Sequence, residues 1–274
     1  EALVLLAPFR TKYPDSKHLP EARFLLGWVK VATGDAQDGV RDLRQFVAAY
    51  PTHGQVPAAR RLILQSQARS ADPADMAEAY RGLMQQQPST AEGLYDAASI
   101  AGRLGRVRDK QAAWRRLRAE FPDHALTRRA ALEMATAAFK QQSWKDATTL
   151  AEEAAKSGDN AVKAEAWLLA GESELKLKRF ASAARAFEAV GEVTDADPGV
   201  RYRALAGLGL VREEQQQWRA ALTAYEAVAS DSPDATLRGW ARERATAVKA
   251  RLETRTTPAR PPARPAPKKT EKRP

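Results

Sequence analysis

Apolar residues along this chain fall into short stretches of helical spacing separated by polar turns, and the stretches come in twos. The pattern predicts helices at about 20–33 and 36–49, 56–70 and 73–86, 90–104 and 107–120, 126–141 and 143–157, 161–178 and 180–193, and 200–216 and 218–231. Runs in which Val, Ile, Thr and Tyr alternate with polar residues, which would mark strands, are almost absent. Breakers sit inside the pairs at Thr33-Gly34-Asp35, Asp72-Pro73, Leu104-Gly105-Arg106 and Gln142-Ser143, with Asp35, Asp72 and Ser143 placed to cap the following helix. Ala2 to Phe9 reads as the second helix of a unit that ends at Tyr13-Pro14, so the sequence is expected to start inside a repeat. A last helix, Ala235 to Glu253, has no partner; an outer face bearing Arg238, Arg242, Arg244, Lys249 and Arg251 would suit a terminal cap.

The twos repeat. Stacked on a large apolar position they align at Leu43, Tyr80, Trp114, Ala151, Phe187 and Tyr225, in steps of 37, 34, 37, 36 and 38 residues. The matching position in the first helix reads Gly27, Leu64, Ala98, Ala135, Gly171 and Gly209, mostly small, as close helix crossing requires. Units end on Tyr13-Pro14, Tyr50-Pro51 and Phe121-Pro122, or on Pro88 and Pro233 alone, because proline stops the helix. Trp144, Phe180 and Trp218 open three second helices, and they and Trp167 read as repeat core. A pair of helices that short cannot bury its apolar face alone, whereas stacked neighbours can. The predicted fold is therefore all-α, an α-α superhelix, with a half unit at 1–14, six units over 20–233 and a capping helix at 235–253.

Composition agrees with helices: 44% of the 274 residues are apolar and 28% charged. There is no cysteine, which excludes disulfides and thiol chemistry. No stretch approaches the roughly 20 apolar residues that span a bilayer. The net charge of +10 is uneven. From Thr254 onward seven basic residues face Glu271 alone, 7 − 1 = +6, which leaves 10 − 6 = +4 for the first 253 residues. That segment, 254–274, is rich in Pro, Lys and Arg and is predicted to be disordered and polyproline-like. Its charge would suit a weak contact with an anionic surface, or simply solubility. Without aromatic residues to stack on bases it offers no specific nucleic-acid site.

Trp167, Gly171, Ala183 and Phe187, and then Leu208, Gly209, Ala221, Tyr225 and Pro233, resemble the tetratricopeptide repeat, whose pattern is Trp-x2-Leu-Gly-x2-Tyr, Ala-x3-Phe-x2-Ala, then Pro. The resemblance covers about residues 1–253. It is weakest at 126–157, where Ala131 and Ala151 replace bulk. The loops Tyr13-Pro14-Asp15-Ser16 to Pro20-Glu21-Ala22 and Tyr50-Pro51-Thr52-His53 to Ala58-Ala59 are similar to those of bacterial envelope members, such as the Tol–Pal-associated periplasmic protein and the lipoprotein subunit of the β-barrel assembly machine. That likeness implies a periplasmic or outer-membrane-associated scaffold; cytoplasmic relatives use such loops too.

The resemblance also implies where a protein partner would lie, in a concave groove lined by the first helices. In the register above, Trp28, Arg61, Gln65, Arg69, Tyr95, Ser99, Arg103, Arg129, Thr136, Lys140, Lys176 and Arg203 face it. Arg69, Arg103, Lys140 and Lys176 occupy one position in successive units, a ladder that would suit an acidic or C-terminal-carboxylate segment. The plain alternative is four cations near helix C-termini, where the dipole favours each by about 0.3–1 kcal/mol. Glu21, Glu92, Glu165, Glu172, Glu213 and Glu214 would dilute the field. A chaperone-type carboxylate clamp is argued against, because it needs Asn beside its cations and Asn160, in a loop, is the only Asn.

Catalytic and cofactor constellations are missing. His18, His53 and His124 follow unit-ending prolines in separate loops, too far apart to share a metal, and no Cys assists. No Gly-rich phosphate loop, Gly-x-Ser-x-Gly elbow or His-Glu-x-x-His occurs, and Glu152-Glu153 and Glu213-Glu214 are adjacent helical residues that point apart. The expected function is a non-catalytic scaffold with no cofactor, which holds an extended or helical segment of a protein partner. The alternatives are a cytoplasmic assembly adaptor and the helical accessory domain of a larger envelope enzyme.

Overall fold

A computed structural model describes residues 2–256. Among them there are helices and no strand: α1 (Ala2–Leu6), α2 (Phe9–Lys12), α3 (Leu19–Ala32), α4 (Ala36–Ala49), α5 (Val56–Arg69), α6 (Pro73–Gln85), α7 (Ala91–Arg103), α8 (Val107–Glu120), α9 (Ala125–Lys140), α10 (Trp144–Ala154), α11 (Asn160–Lys176), α12 (Phe180–Glu192), α13 (Pro198–Glu214), α14 (Trp218–Asp231) and α15 (Ala235–Thr256). Consecutive helices pack as pairs, and the fold class is the α-α superhelix. The chain divides into two compact units, 1–130 and 131–274, with the division inside α9.

The predicted first helix is instead two short ones. Pro8 has no N–H to give the carbonyl of Val4, so α1 stops at Leu6, and α2 restarts on bonds from Thr11 and Lys12 to the Pro8 carbonyl. At the other end α15 runs to Thr256, so Thr254 to Thr256, predicted as tail, are helical; the rest of that tail, 257–274, lies outside the described residues.

In the unit 1–130, Phe24, Val40, Leu43, Phe46, Val56, Ala59 and Ile63 close the first core cluster. Leu43 and Phe46 are fully buried, and the Phe46 ring meets Phe24, Tyr50 and His53. A methyl group on Gly27 would stand 2.8 Å from Leu43 Cγ, which is why that register position is small.

The unit 131–274 reaches tight packing with alanine. Ala131 meets Ala154, Ala155 and Ala166, while Ala135 meets Ala151, Ala170 and Ala186. The poor match at Ala131 and Ala151 is thus a closer crossing and not a void, both residues being fully buried. Further on, the Phe187 ring lies against Gly171 of α11 and Gly207 of α13, and Tyr225 lies against Gly209. Burying a ring of this kind contributes about 1.5–3 kcal/mol.

Five of the six turns inside pairs share one geometry. A residue at positive φ follows the first helix (Gly34, Gly105, Gln142, Lys178, Gln216), and the next N–H reaches back to a carbonyl five residues earlier, as from Asp35 to Lys30 or Gln217 to Arg212. This closure satisfies carbonyls at the end of the first helix; Asp35 and Ser143, expected to cap the helix that follows, make no side-chain cap bond. Asp72, in the sixth turn, does cap, accepting from the Ala74 N–H. Between pairs, side chains take over: Thr90, Asp159 and Asp197 cap α7, α11 and α13.

The five basic residues expected on the outer face of α15 each reach a neighbouring group, with Arg242, Lys249 and Arg251 still exposed. Arg238 donates to the carbonyls of Ser232 and Pro233, Arg242 to that of Ala229, and Arg244 to the Glu213 carboxylate. Lys249 pairs with Glu226 at 2.7 Å, and the Arg251 guanidinium lies 5.0 Å from the centre of the Trp218 ring. These contacts satisfy carbonyls at the end of α14 and hold α15 down as the cap.

Candidate functional site

The residues expected to receive a partner lie on first helices and have different fates. In the unit 1–130, Trp28, Gln65 and Arg69 line one cavity of about 600 Å³ between the pairs α3–α4 and α5–α6. Its apolar wall is Val31, Ala32, Ala36, Val40 and Leu62. Trp28 is 45% exposed and Leu25, one turn before it, 41%. They are the exposed large apolar side chains of the first helices among the described residues. Arg61 is also exposed, while Tyr95 is half-buried.

Arg103 leaves the ladder. Its guanidinium donates to the carbonyls of Ala68 and Ser70, both at 2.6 Å, and so caps the C-terminal end of the preceding first helix. That is a structural use of the charge. Arg69, Arg129, Lys140 and Lys176 are exposed and have no ion pair within 4 Å among the described residues. In the unit 131–274, Arg203 is tied to Glu172 at 3.0 Å, and Thr136 bonds its hydroxyl to the Leu132 carbonyl on its own helix. Neither is a free recognition group. Ser99 is exposed on α7.

The carboxylates expected to dilute the field divide likewise. Glu213 is drawn away by the Tyr225 hydroxyl and Arg244, and burial first, then that carboxylate, pushes the Tyr225 phenol well up. Glu92 lies 3.6 Å from His124 Nε2. Asp96 was not foreseen. Burial raises its carboxyl above the usual range, the Glu92 charge adds to the shift, and the Arg69 charge opposes it. Asp96 is therefore the carboxylate that shares the field of Arg69.

Gln67 was missed as well. It is 2% exposed, lines the cavity, and has no hydrogen-bond partner for either amide atom. The sequence register explains the orphan. The same position in the preceding pair is Lys30, which meets Asp42 at 2.6 Å; the counterpart of Asp42 in the next pair is Ala79, which offers nothing. A polar residue at a buried register position without its partner was the signal to look for.

Two of the three histidines, His53 and His124, serve as loop acceptors. His53 Nδ1 and His124 Nδ1 each accept the N–H two residues on, at 3.2 Å, as Ser16, Ser157 and Ser232 do with their hydroxyls in the equivalent loops. Among the described residues no group of three or more His, Cys, Asp and Glu side chains gathers to hold a metal. No helix among them is long and apolar enough to cross a membrane.

Two family profiles described as tetratricopeptide repeat match the chain, one over residues 132–200 and the other over 21–53 and 203–235. No curated protein matches it significantly in sequence. Among solved structures, yeast Tom70 superposes with a TM-score of 0.51 at 13% identity over 93% of this chain, which spans 60% of the length of Tom70. Weaker likenesses are to pilF of Pseudomonas aeruginosa (TM-score 0.44, 14% identity, 86% of this chain and 91% of that one) and to BtubC of P. vanneervenii (0.47, 14%, 90% and 99%). Identities this low speak to the fold alone. The repeated register, the paired helices and the profile matches together identify tetratricopeptide repeats in this chain, over residues 21–53, 132–200 and 203–235, and proteins built of such repeats are typically non-catalytic scaffolds for protein–protein interaction.

Proposed function

We propose that the first helices of the repeats present a groove that holds an extended or helical acidic segment of a protein partner, and that the chain does so as a scaffold in a bacterial periplasmic or outer-membrane-associated complex. The observation that carries the groove reading is the ladder that remains without Arg103. Arg69, Lys140 and Lys176 share one register position, are exposed, and have no ion pair among the described residues. Long cations kept free at a repeated spacing suit a carboxylate-bearing strand or helix face. Arg61 and Arg129 are exposed on first helices as well. The envelope location draws support from the loop phrases that begin at Tyr13-Pro14 and Tyr50-Pro51.

The test is recovery of partners from cells by tagged wild-type chain and by the triple variant Arg69→Glu, Lys140→Glu, Lys176→Glu. The reading expects the main partner to be lost from the variant while its helix content and melting temperature hold. Equal recovery would remove the groove. Release of the native protein with the periplasmic fraction on osmotic shock, or its sedimentation with outer membranes, is expected; recovery with cytoplasmic markers would overturn the location.

A further inference from the structure

The cavity between α3–α4 and α5–α6 differs from the rest of the first-helix surface in having both an apolar anchor and uncommitted polar groups. Trp28 lines it and stands exposed, as does Leu25 one turn earlier on the same helix. Several polar groups around it are already engaged. Arg44 pairs with Glu78, Asp72 caps α6, and Asp75 accepts from the Ser70 hydroxyl. What stays open is the Arg69 guanidinium, the Gln65 side chain and the buried, partnerless amide of Gln67. A partnerless buried amide is a net cost to the empty protein, and an occupant that supplies a backbone N–H and C=O removes that cost. Tryptophan and arginine beside a concave wall are also the residue types on which interface energy concentrates.

Charge chooses among occupants. Residues 1–130 carry 20 Lys and Arg against 14 Asp and Glu, 20 − 14 = +6, so this unit favours an acidic visitor. Three nearby carboxylates oppose it: Asp72 and Asp75 in the lining, engaged by the Ala74 N–H and the Ser70 hydroxyl, and Asp96, which shares the field of Arg69 without lining the cavity. We infer that this cavity is the anchor site for an acidic partner segment: it takes a large apolar side chain against Trp28, Val40 and Leu62, with a neighbouring carboxylate on Arg69. The inference rests on the groove reading and narrows it to one end of the chain and one residue chemistry.

The experiment uses the full chain and a fluorescein-labelled peptide, Gly-Ser-Asp-Asp-Leu-Phe-Asp-Gly-Ser, read by fluorescence anisotropy at low salt. Saturable binding is expected, at least about tenfold weaker when the three Asp become Lys. Trp28→Ala and Arg69→Gln should each weaken it about tenfold, while Asp96→Asn should tighten it, and circular dichroism checks that all three fold. Gln67→Leu supplies a readout that a purely structural role would not move. Relieved of its orphan amide, it should melt higher than wild type and yet bind the peptide less tightly. No saturable binding, equal binding of the Lys peptide, or indifference to Trp28→Ala and Arg69→Gln would overturn the inference. If the peptide fails while Lys140→Glu and Lys176→Glu still abolish partner recovery from cells, the anchor falls and the groove stands. If neither responds, both fall.

Discussion

Phe187 offers a sharp test of how the repeats are held together, because its ring is closed in from two helices at once. A Cβ on Gly171 would stand 2.6 Å from ring atoms Cδ1 and Cε1, and one on Gly207 would stand 2.5 Å from Cζ on the far side. The substitution Gly171→Ala brings two opposed effects. Helix propensity favours alanine by about 1 kcal/mol. Overpacking costs about 1–3 kcal/mol, and the upper part of that range applies because the ring cannot retreat into Gly207. The expected net loss is about 1–2 kcal/mol, or roughly 2–8 °C in melting temperature for a chain of this size. Gly239→Ala in α15, where a Cβ meets nothing within 4 Å, isolates the propensity effect and should gain up to about 1 kcal/mol. Adding Phe187→Leu to Gly171→Ala should give a favourable coupling of at least about 0.5 kcal/mol in a double-mutant cycle, since the shorter side chain vacates the clash. Thermal and urea melts followed by circular dichroism read wild type, the three single variants and the double variant. If Gly171→Ala melts at or above wild type, the close crossing is not what fixes that position.

Three further outcomes follow from other parts of the chain. Gln216 holds φ at +59° without being glycine, so Gln216→Gly should stabilise the protein by up to about 1 kcal/mol, seen as a rise in urea midpoint; a fall would refute the strain. Arg103→Ala should expose the end of α5 to faster amide exchange around Ala68 to Ser70 while leaving partner recovery unchanged, and loss of the partner with unchanged exchange would return Arg103 to the groove. Because Asp96 has a raised pKa in the folded state, its ionisation opposes folding. That contribution is absent at acid pH, sets in as pH rises from the unfolded value through the folded one, and is constant above. Carboxyl-carbon NMR should find the Asp96 titration moved down in Glu92→Gln and up in Arg69→Gln, and either shift in the opposite sense would contradict the geometry.

Much of the fold was legible because a repeat states the same rule six times. Helix ends fell within a few residues of their predicted places, and small residues at Gly27, Gly171 and Gly209 marked where a large side chain of the facing helix would press. Turn chemistry was less legible. Lys178 and Gln216 carry no breaker signature, yet they adopt the same left-handed turn as Gly34 and Gly105, because the packing of the pair fixes the chain path and overrides local preference. At the surface, position on a helix face could be read but the reach of long side chains could not. Arg103, Arg203 and the five basic residues of α15 all sit where a groove or an outer face was expected, and each swings toward a carbonyl, a carboxylate or a ring. Gln67 was readable in principle, since its repeat counterpart Lys30 has Asp42 and Gln67 has only Ala79.

The contacts that anchor α15 bear on how the protein behaves when crowded. An open-ended array of identical hairpins is a template for its own kind, and two exposed ends that match would let one molecule add to the next without limit. Here α15 covers α14 through Tyr225, Val228, Trp240, Ala241, Ala245 and Val248, and the arginines and lysine hold that cover in place. A cover of this kind works against head-to-tail addition at the face of α14 that it occupies.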